Sequence, residues 1–459
     1  MPLHAVRSRR PLMPASSPPR ENESAVRPNV RWRIFALLIS FSLIAYVQQK
    51  SVTIAAARMM PELGLSQVQI GWLEQAFVLS YTLFQLPGGL LGQRLGARVA
   101  YALFGLLAFV AAVSTSLAPL KFSGGTLFAA LLAAQFVLGI GQAGRWPVTA
   151  GVYATWFPTR QWSLVQGLAA ASTNLGAALA APLIVSLTAA FGWQQAIAWS
   201  SCPALLVLVI WIWYARNTPA EHPDVSRAEL ADIGERAAPA AKSRLEWAQV
   251  MRVLVNRNTL LLTLSYLIMN YSFFLLSNWS FLYLLQQRHF SMLESGWLAA
   301  APPLAAAAGA AGGGALAAWL CRRLGVAWGF RIVPLAGLTA TAILLSMTSW
   351  LSNPYAAVVT LTLCFGCLEL TEGSFWGATM IVGQRDTMAI SGIVNTGGCL
   401  GGIIGIPIVA HLSGNHSWDV AFALGSLSAL ASAILWLGID PGARPPQATR
   451  GAECPISST

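Results

Sequence analysis

Charge is what this chain has little of. Of its 459 residues only 10% are Asp, Glu, Lys or Arg, against about 25% in a soluble globular domain, while 56% are hydrophobic. A water-soluble fold is thereby excluded. Histidine is scarce too. The five (His4, His222, His289, His411 and His416) form no motif with a nucleophile or paired acid, which argues against an enzyme. No phosphate-cradling glycine loop is present, which argues against a nucleotide-driven pump. The six cysteines, at 202, 321, 364, 367, 399 and 454, sit in expected helices, at their ends or in the tail, and need no disulfide. Cys364 and Cys367 form a CxxC in mid-helix without a second ligand pair, so neither a metal nor a cofactor is expected.

Apolar runs fill the chain instead. Twelve of them, near 34–57, 68–92, 98–118, 126–150, 163–187, 194–215, 258–285, 294–320, 330–350, 354–380, 388–412 and 418–438, can each cross about 30 Å of hydrocarbon as a helix. The expected class is an all-α integral membrane protein with twelve transmembrane helices. The Pro-, Ser- and Arg-rich start reads as a disordered cytoplasmic tail over 1–32. The apolar segment after it is too long for a cleavable signal.

The formal charge of +11 reflects orientation rather than nucleic-acid binding. With the N-terminus inside, 23 of the 28 Lys and Arg fall on the cytoplasmic side. Only Arg58, Lys121 and Arg288 fall outside, and Lys50 and Arg145 lie within the membrane. The positive-inside rule then puts both termini in the cytoplasm. Trp72, Trp193, Trp297, Trp350 and Trp418 stand at segment ends, where an interfacial aromatic belt or simple core packing would place them.

The chain also matches itself at an offset of 225 residues. Gly71-Trp72 falls on Gly296-Trp297, Arg98 on Arg323, Arg160 on Arg385, Pro182 on Pro407, Trp193 on Trp418 and Tyr46 on Tyr271. Two parallel six-helix halves are a transporter plan that places the substrate between them near the midplane. The expected division is a bundle over 33–215, a cytoplasmic linker over 216–257, a second bundle over 258–440 and a cytoplasmic tail over 441–459. A short amphipathic helix is expected in the linker from Ser226 to Arg236.

Residues 89–98, GLLGQRLGAR, resemble the GxLxDRxGxR loop of the major facilitator superfamily. AYVQQKSVTIA in the first span, GIGQAGRWPVTAGVYATWFPTRQW in the fourth, PAEHPDVSRAEL in the linker and SGIVNTGGCLGG in the eleventh resemble its anion:cation symporter group, which includes sugar-acid and phthalate permeases. That resemblance implies alternating access and a central cavity. It also marks departures. Gln48-Gln49 stand where the group usually has Asp-Arg, Gln135 where it has Arg, and Gln142 where it has Glu. Gln93 and Ala318 remove the acids of the usual charge latch.

Four charges remain inside the expected membrane. Lys50 and Arg145 belong to the first half, and Glu369 and Glu372 to the second. Gln135, Gln142 and Arg145 share one helical stripe, as do Glu369, Glu372 and Trp376. Lys50 and Arg145 are therefore candidate carboxylate ligands, the Arg as a planar fork and the Lys as a point charge. Gln48, Gln49, Gln135 and Gln142 are candidate partners for substrate hydroxyls. Tyr81, Thr173, Tyr271, Asn278, Trp376 and Asn395 complete the candidate binding set. Glu372, with Glu369, is the candidate proton carrier. The alternative is that Lys50 and Arg145 pair with the two glutamates as a purely structural contact, and Lys50 is also close enough to the outer end of its helix to snorkel.

The expected activity is proton-coupled uptake of a small organic anion, a sugar acid or aromatic carboxylate, by a monomer in a bacterial inner membrane. Efflux of a cationic or amphipathic compound and a non-transporting sensor are the alternatives.

Overall fold

The computed structural model describes residues 29–234, 251, 255–291, 294, 298, 300–414 and 417–441. Residues 1–28 of the tail expected over 1–32, the linker over 235–250, the tail beyond 441 and the Gly296-Trp297 repeat partner lie outside these residues, while 30–32 of that tail already belong to the first helix.

Sixteen α-helices are described. The first half contains α1 (Val30–Leu63), α2 (Gln67–Leu83), α3 (Gln85–Leu95), α4 (Ala97–Leu117), α5 (Gly124–Ala143), α6 (Arg145–Trp156), α7 (Trp162–Phe191) and α8 (Trp193–Tyr214). The linker carries α9 (Arg227–Ile233). The second half contains α10 (Arg257–Gln286), α11 (Ala301–Leu324), α12 (Val326–Trp350), α13 (Pro354–Glu369), α14 (Glu372–Gly383), α15 (Thr387–Gly414) and α16 (Trp418–Gly438). The twelve spans are present, but three of them are broken in two, as α2–α3, α5–α6 and α13–α14.

Two of the breaks have a local cause. Proline has no N–H, so Pro87 cannot bond the carbonyl of Leu83, nor Pro147 that of Ala143. Both helices stop at those residues, and the ladder resumes with Gly88 N on Phe84 O (2.8 Å) and Val148 N on Gly144 O (3.0 Å). At the third break the Thr371 hydroxyl donates to the Leu368 carbonyl at 2.7 Å, competing with the helix ladder. The breaks after Ala143 and Glu369 lie at matching places in the two halves. The repeat is also visible in helix starts, since α7 and α15 begin at Trp162 and Thr387, and α8 and α16 at Trp193 and Trp418.

One core centres on Phe35, Tyr153, Trp162 and Trp211 of the first half and reaches Ala307, Ala310 and Met380 of the second, and another lies within the second half around Tyr283, Phe330, Trp418 and Trp436. Large apolar side chains elsewhere remain exposed, such as Leu103, Leu106 and Val110 on α4 and Leu206, Val209 and Trp213 on α8. These are surfaces for lipid. The expected aromatic belt is only partly realised. Trp72 and Trp350 are exposed, but Trp193 and Trp418 are each 1% exposed and pack inside their halves.

The halves meet on the side that carries the linker. A methyl on Gly167 of α7 would overlap the Ala310 carbonyl of α11, and one on Gly89 of α3 the Met388 carbonyl of α15. Only glycine allows backbones this close. Hydrogen bonds cross the same seam from Gln93 to the Arg385 carbonyl (3.2 Å) and from Gln166 to the Met380 sulfur (3.2 Å). The amide of Gln93 thus ties the halves where the resemblance implies a charge.

The linker is anchored to the first half. The Glu229 carboxylate accepts from the backbone N–H groups of Val30 (3.3 Å) and Arg31 (3.0 Å), capping an α1 N-terminus that has no side-chain cap of its own. A carboxylate there also complements the helix dipole. Asp232 pairs with Arg31 at 2.6 Å and with Arg160. Hydrogen bonds from Arg31 and then Arg160 hold its carboxyl below the usual range.

Candidate functional site

The two matching breaks place buried charge at the middle of the molecule. Arg145 opens α6, Glu369 closes α13 and Glu372 opens α14. All three are nearly inaccessible, at 6%, 3% and 5% exposure. Charge so deeply buried normally has a charged partner. Arg145 has none, since no carboxylate lies within ion-pair distance of it among the described residues.

Its guanidinium donates from Nη1 to Ser42 Oγ (3.0 Å) and lies 5.9 Å from the Tyr46 ring centre and 5.3 Å from that of Trp146. The Nε–H has no partner. Arg145 lines a small cavity with Gln48 and Gln142, walled by Phe41, Tyr101 and Phe104. Gln142 donates to the Ala45 carbonyl (3.1 Å), leaving its own oxygen unpartnered, and the Gln48 amide nitrogen is unpartnered as well. One cavity wall therefore offers three unsatisfied polar atoms.

The glutamates are held separately. Glu369 accepts from Asn174 Nδ2 of the opposite half at 2.7 Å. Glu372 accepts from Trp376 Nε1 at 2.7 Å and from the Tyr266 hydroxyl at 3.4 Å. The indoles of Trp146 and Trp376 stack across the halves, 5.3 Å between centres and 2° from parallel. A continuous row runs from Arg145 through these two rings to Glu372. Beside it, Asn395 donates to the Tyr81 hydroxyl at 3.4 Å, again across the halves.

The other candidates lie further off. Lys50 is half-buried and stands on α1 two turns beyond Ser42 and one beyond Tyr46, the residues of that helix against which Arg145 lies. Gln49 is half-buried. Gln135 bonds the Thr115 hydroxyl (3.3 Å) inside the first half. Thr173 bonds its own helix at the Ala170 carbonyl (2.7 Å). The Tyr271 hydroxyl donates to the Ala421 carbonyl (3.3 Å) within the second half, and Asn278 is exposed. Sequence reasoning passed over Ser42, Tyr46, Trp146, Asn174 and Tyr266. A signal existed for some of them. Ser42, Tyr46 and Lys50 are spaced i, i+4, i+8 on α1, Trp146 is the neighbour of Arg145 and Asn174 that of Thr173.

One buried cation and two buried acids thus stand at the middle of two repeated helical halves. Residues 37–391 match the Major Facilitator Superfamily. The chain belongs to that family. It is 26% identical over 422 residues to a probable sulfoacetate transporter of Cupriavidus necator, covering 90% of this chain and 95% of the relative. It is 28% identical over 436 residues to a probable galactarate/D-glucarate transporter of Escherichia coli, with the same coverage of 90% and 95%. The solved fucose:proton symporter of E. coli superposes with a TM-score of 0.66 at 15% identity, covering 90% of this chain and 99% of the symporter, which speaks for the fold. Family and relatives are transporters, not enzymes.

Proposed function

We propose that this major facilitator protein takes up a small organic anion by alternating access, coupled to protons, across a bacterial inner membrane, with both termini and the linker in the cytoplasm. The observation that carries the reading is Arg145, 6% exposed and without a carboxylate partner among the described residues. Such a cation is costly in a dry interior and becomes favourable when a carboxylate or sulfonate completes it with charge-assisted hydrogen bonds. The purely structural alternative, in which Arg145 neutralises Glu369 or Glu372, has no ion pair to support it in this conformation.

Glu372 is the proposed proton carrier. It opens α14 inside an apolar bundle, with two donors on one oxygen, and it belongs to the half opposite Arg145. A buried carboxylate titrates where its surroundings make charge expensive. Loading a proton on one half and an anion on the other lets the halves rock as a neutralised pair. The test is uptake into proteoliposomes under an imposed inward proton gradient, using sulfoacetate and sugar acids as probes. Wild type should accumulate substrate, Arg145→Gln should neither bind nor accumulate it, and Glu372→Gln should exchange substrate without accumulating it. Gradient-driven accumulation by Glu372→Gln would remove that residue from the coupling step.

Efflux of a cation would use Glu369 and Glu372 as its ligands. Both already accept short hydrogen bonds from Asn174 and Trp376, whereas the guanidinium Nε–H is free, and this favours the anion.

A further inference from the structure

Resting on the reading of Glu372 as proton carrier, we infer that two stacked tryptophans govern the proton step: Trp376 positions the Glu372 carboxyl through its indole N–H, and Trp146 of the opposite half holds Trp376 in place.

Glu372 and Trp376 stand one turn apart on α14, so their side chains meet on one face. Trp376 Nε1 donates to the carboxylate at 2.7 Å, whereas the Tyr266 hydroxyl reaches the same oxygen at 3.4 Å. The indole is therefore the stronger donor. A hydrogen bond to an ionised oxygen is about twice as strong as one to a neutral oxygen. The N–H thus favours the ionised carboxyl and opposes the burial that retains the proton. With that donor in place, the proton loaded alongside the substrate can leave again.

The other groups around Glu372 leave this role to Trp376. Glu369 of α13 takes its hydrogen bond from Asn174, and Arg145 of α6 forms no ion pair with Glu372. Helix α7, packed along α14, carries no titratable side chain. Helix α15 brings Cys399 and His411, and Cys321, Arg322, Arg323 and Arg331 stand near the turn that joins α11 to α12.

The indole itself is fixed from two directions. Tyr266 meets it edge-on, 5.5 Å between ring centres and 75° between planes, and Trp146 stacks flat on it at 5.3 Å and 2°. Both tryptophans are buried. Trp146 follows Arg145 in the chain, and the guanidinium lies 5.3 Å from its ring centre. The residue beside the proposed anion ligand therefore holds the donor to the proposed proton carrier, which links the two loading steps through packing between the halves.

The test is pH-titrated infrared difference spectroscopy of the purified full-length protein, following the protonated-carboxyl band that disappears in Glu372→Gln. Trp376→Phe keeps a ring but removes the donor, and should raise the midpoint of that band by about 0.5–1 pH unit. Tyr266→Phe, which removes the longer bond, should move it less. Trp146→Ala should move it in the same direction as Trp376→Phe, and Trp146→Phe should restore it. An unmoved midpoint in Trp376→Phe overturns the inference while leaving Glu372 as the titrating group. Should Trp376→Phe not fold, an unmoved midpoint in Trp146→Ala overturns it equally. A spectrum with no titrating band lost in Glu372→Gln would bring down the proton-carrier reading and this inference with it.

Discussion

Three consecutive glycines on α11 have three different surroundings, which makes them a controlled test of how the halves meet. A methyl on Gly312 meets nothing within 4 Å. On Gly313 it overlaps the Leu370 carbonyl at the α13–α14 break, inside the same half. On Gly314 it overlaps the Ser163 carbonyl and comes within 3.0 Å of the Gly167 Cα, both in the opposite half. Alanine is favoured over glycine in a helix by about 1 kcal/mol, so Gly312→Ala should leave stability equal or slightly higher. Overpacking against backbone costs about 1–3 kcal/mol, so Gly313→Ala should lose up to about 2 kcal/mol net of the helix gain. In Gly314→Ala the helix gain is the same in both access states and cancels between them. The clash exists only while the linker side is closed, so the equilibrium should move toward linker-open by about 1–3 kcal/mol, roughly five- to 150-fold. The reporter is Gln166→Cys in a cysteine-free background. Gln166 is fully buried at the seam, so a membrane-impermeant maleimide reaches it from the linker side only when the halves part. Gly314→Ala should label fastest, with the other two near the parent rate, while thermal unfolding should single out Gly313→Ala. Equal labelling of all three, or a Gly312→Ala as disruptive as its neighbours, would refute the assignment of that seam.

Other perturbations act through single contacts. Pro147→Ala returns the N–H donor that the Ala143 carbonyl lacks, so the fourth span should become continuous and re-aim Arg145; acid binding should weaken by at least tenfold with little change in unfolding temperature, read by calorimetry and thermal melts. Trp146→Ala removes the stack with Trp376, worth about 0.5–1.5 kcal/mol beyond its buried area, and should raise Gln166→Cys labelling severalfold, whereas Trp146→Phe should largely restore the parent rate. Asp232→Asn breaks the ion pairs to Arg31 and Arg160. Because the native carboxyl is held below its ordinary value near 4, its contribution is complete at neutral pH and fades as pH falls below about 4. Screening of this partly exposed group limits the effect to about 1 kcal/mol or less. Wild type should therefore melt slightly above Asp232→Asn at pH 7, with the difference closing on acidification.

The twelve spans and the repeat were legible because both rest on composition and register, which survive any detail of packing. The helix breaks were legible in principle, since Pro87 and Pro147 stand four residues after Leu83 and Ala143, but apolar periodicity runs straight through them. The stripe of Gln135, Gln142 and Arg145 is kept only in part. Gln142 and Arg145 line one cavity while Gln135 turns to Thr115. Trp193 and Trp418 show a different limit. A tryptophan at a span end suits the interface or the core equally, and only packing decides between them. Tyr266 was invisible because its place at the site is given by a partner on a distant helix, Glu372, and nothing in its own surroundings announces it.

The central claim is that Arg145 is left unpaired for a substrate anion. The most direct measurement is a thermal-shift titration of the purified protein with organic acids, with wild type and Arg145→Gln in parallel and cationic compounds as the counter-screen. Stabilisation by at least one acid that vanishes in Arg145→Gln, with cations inert, is the expected result. Stabilisation by cations alone, or acid stabilisation that persists without the guanidinium, would contradict it and make the buried arginine a structural residue.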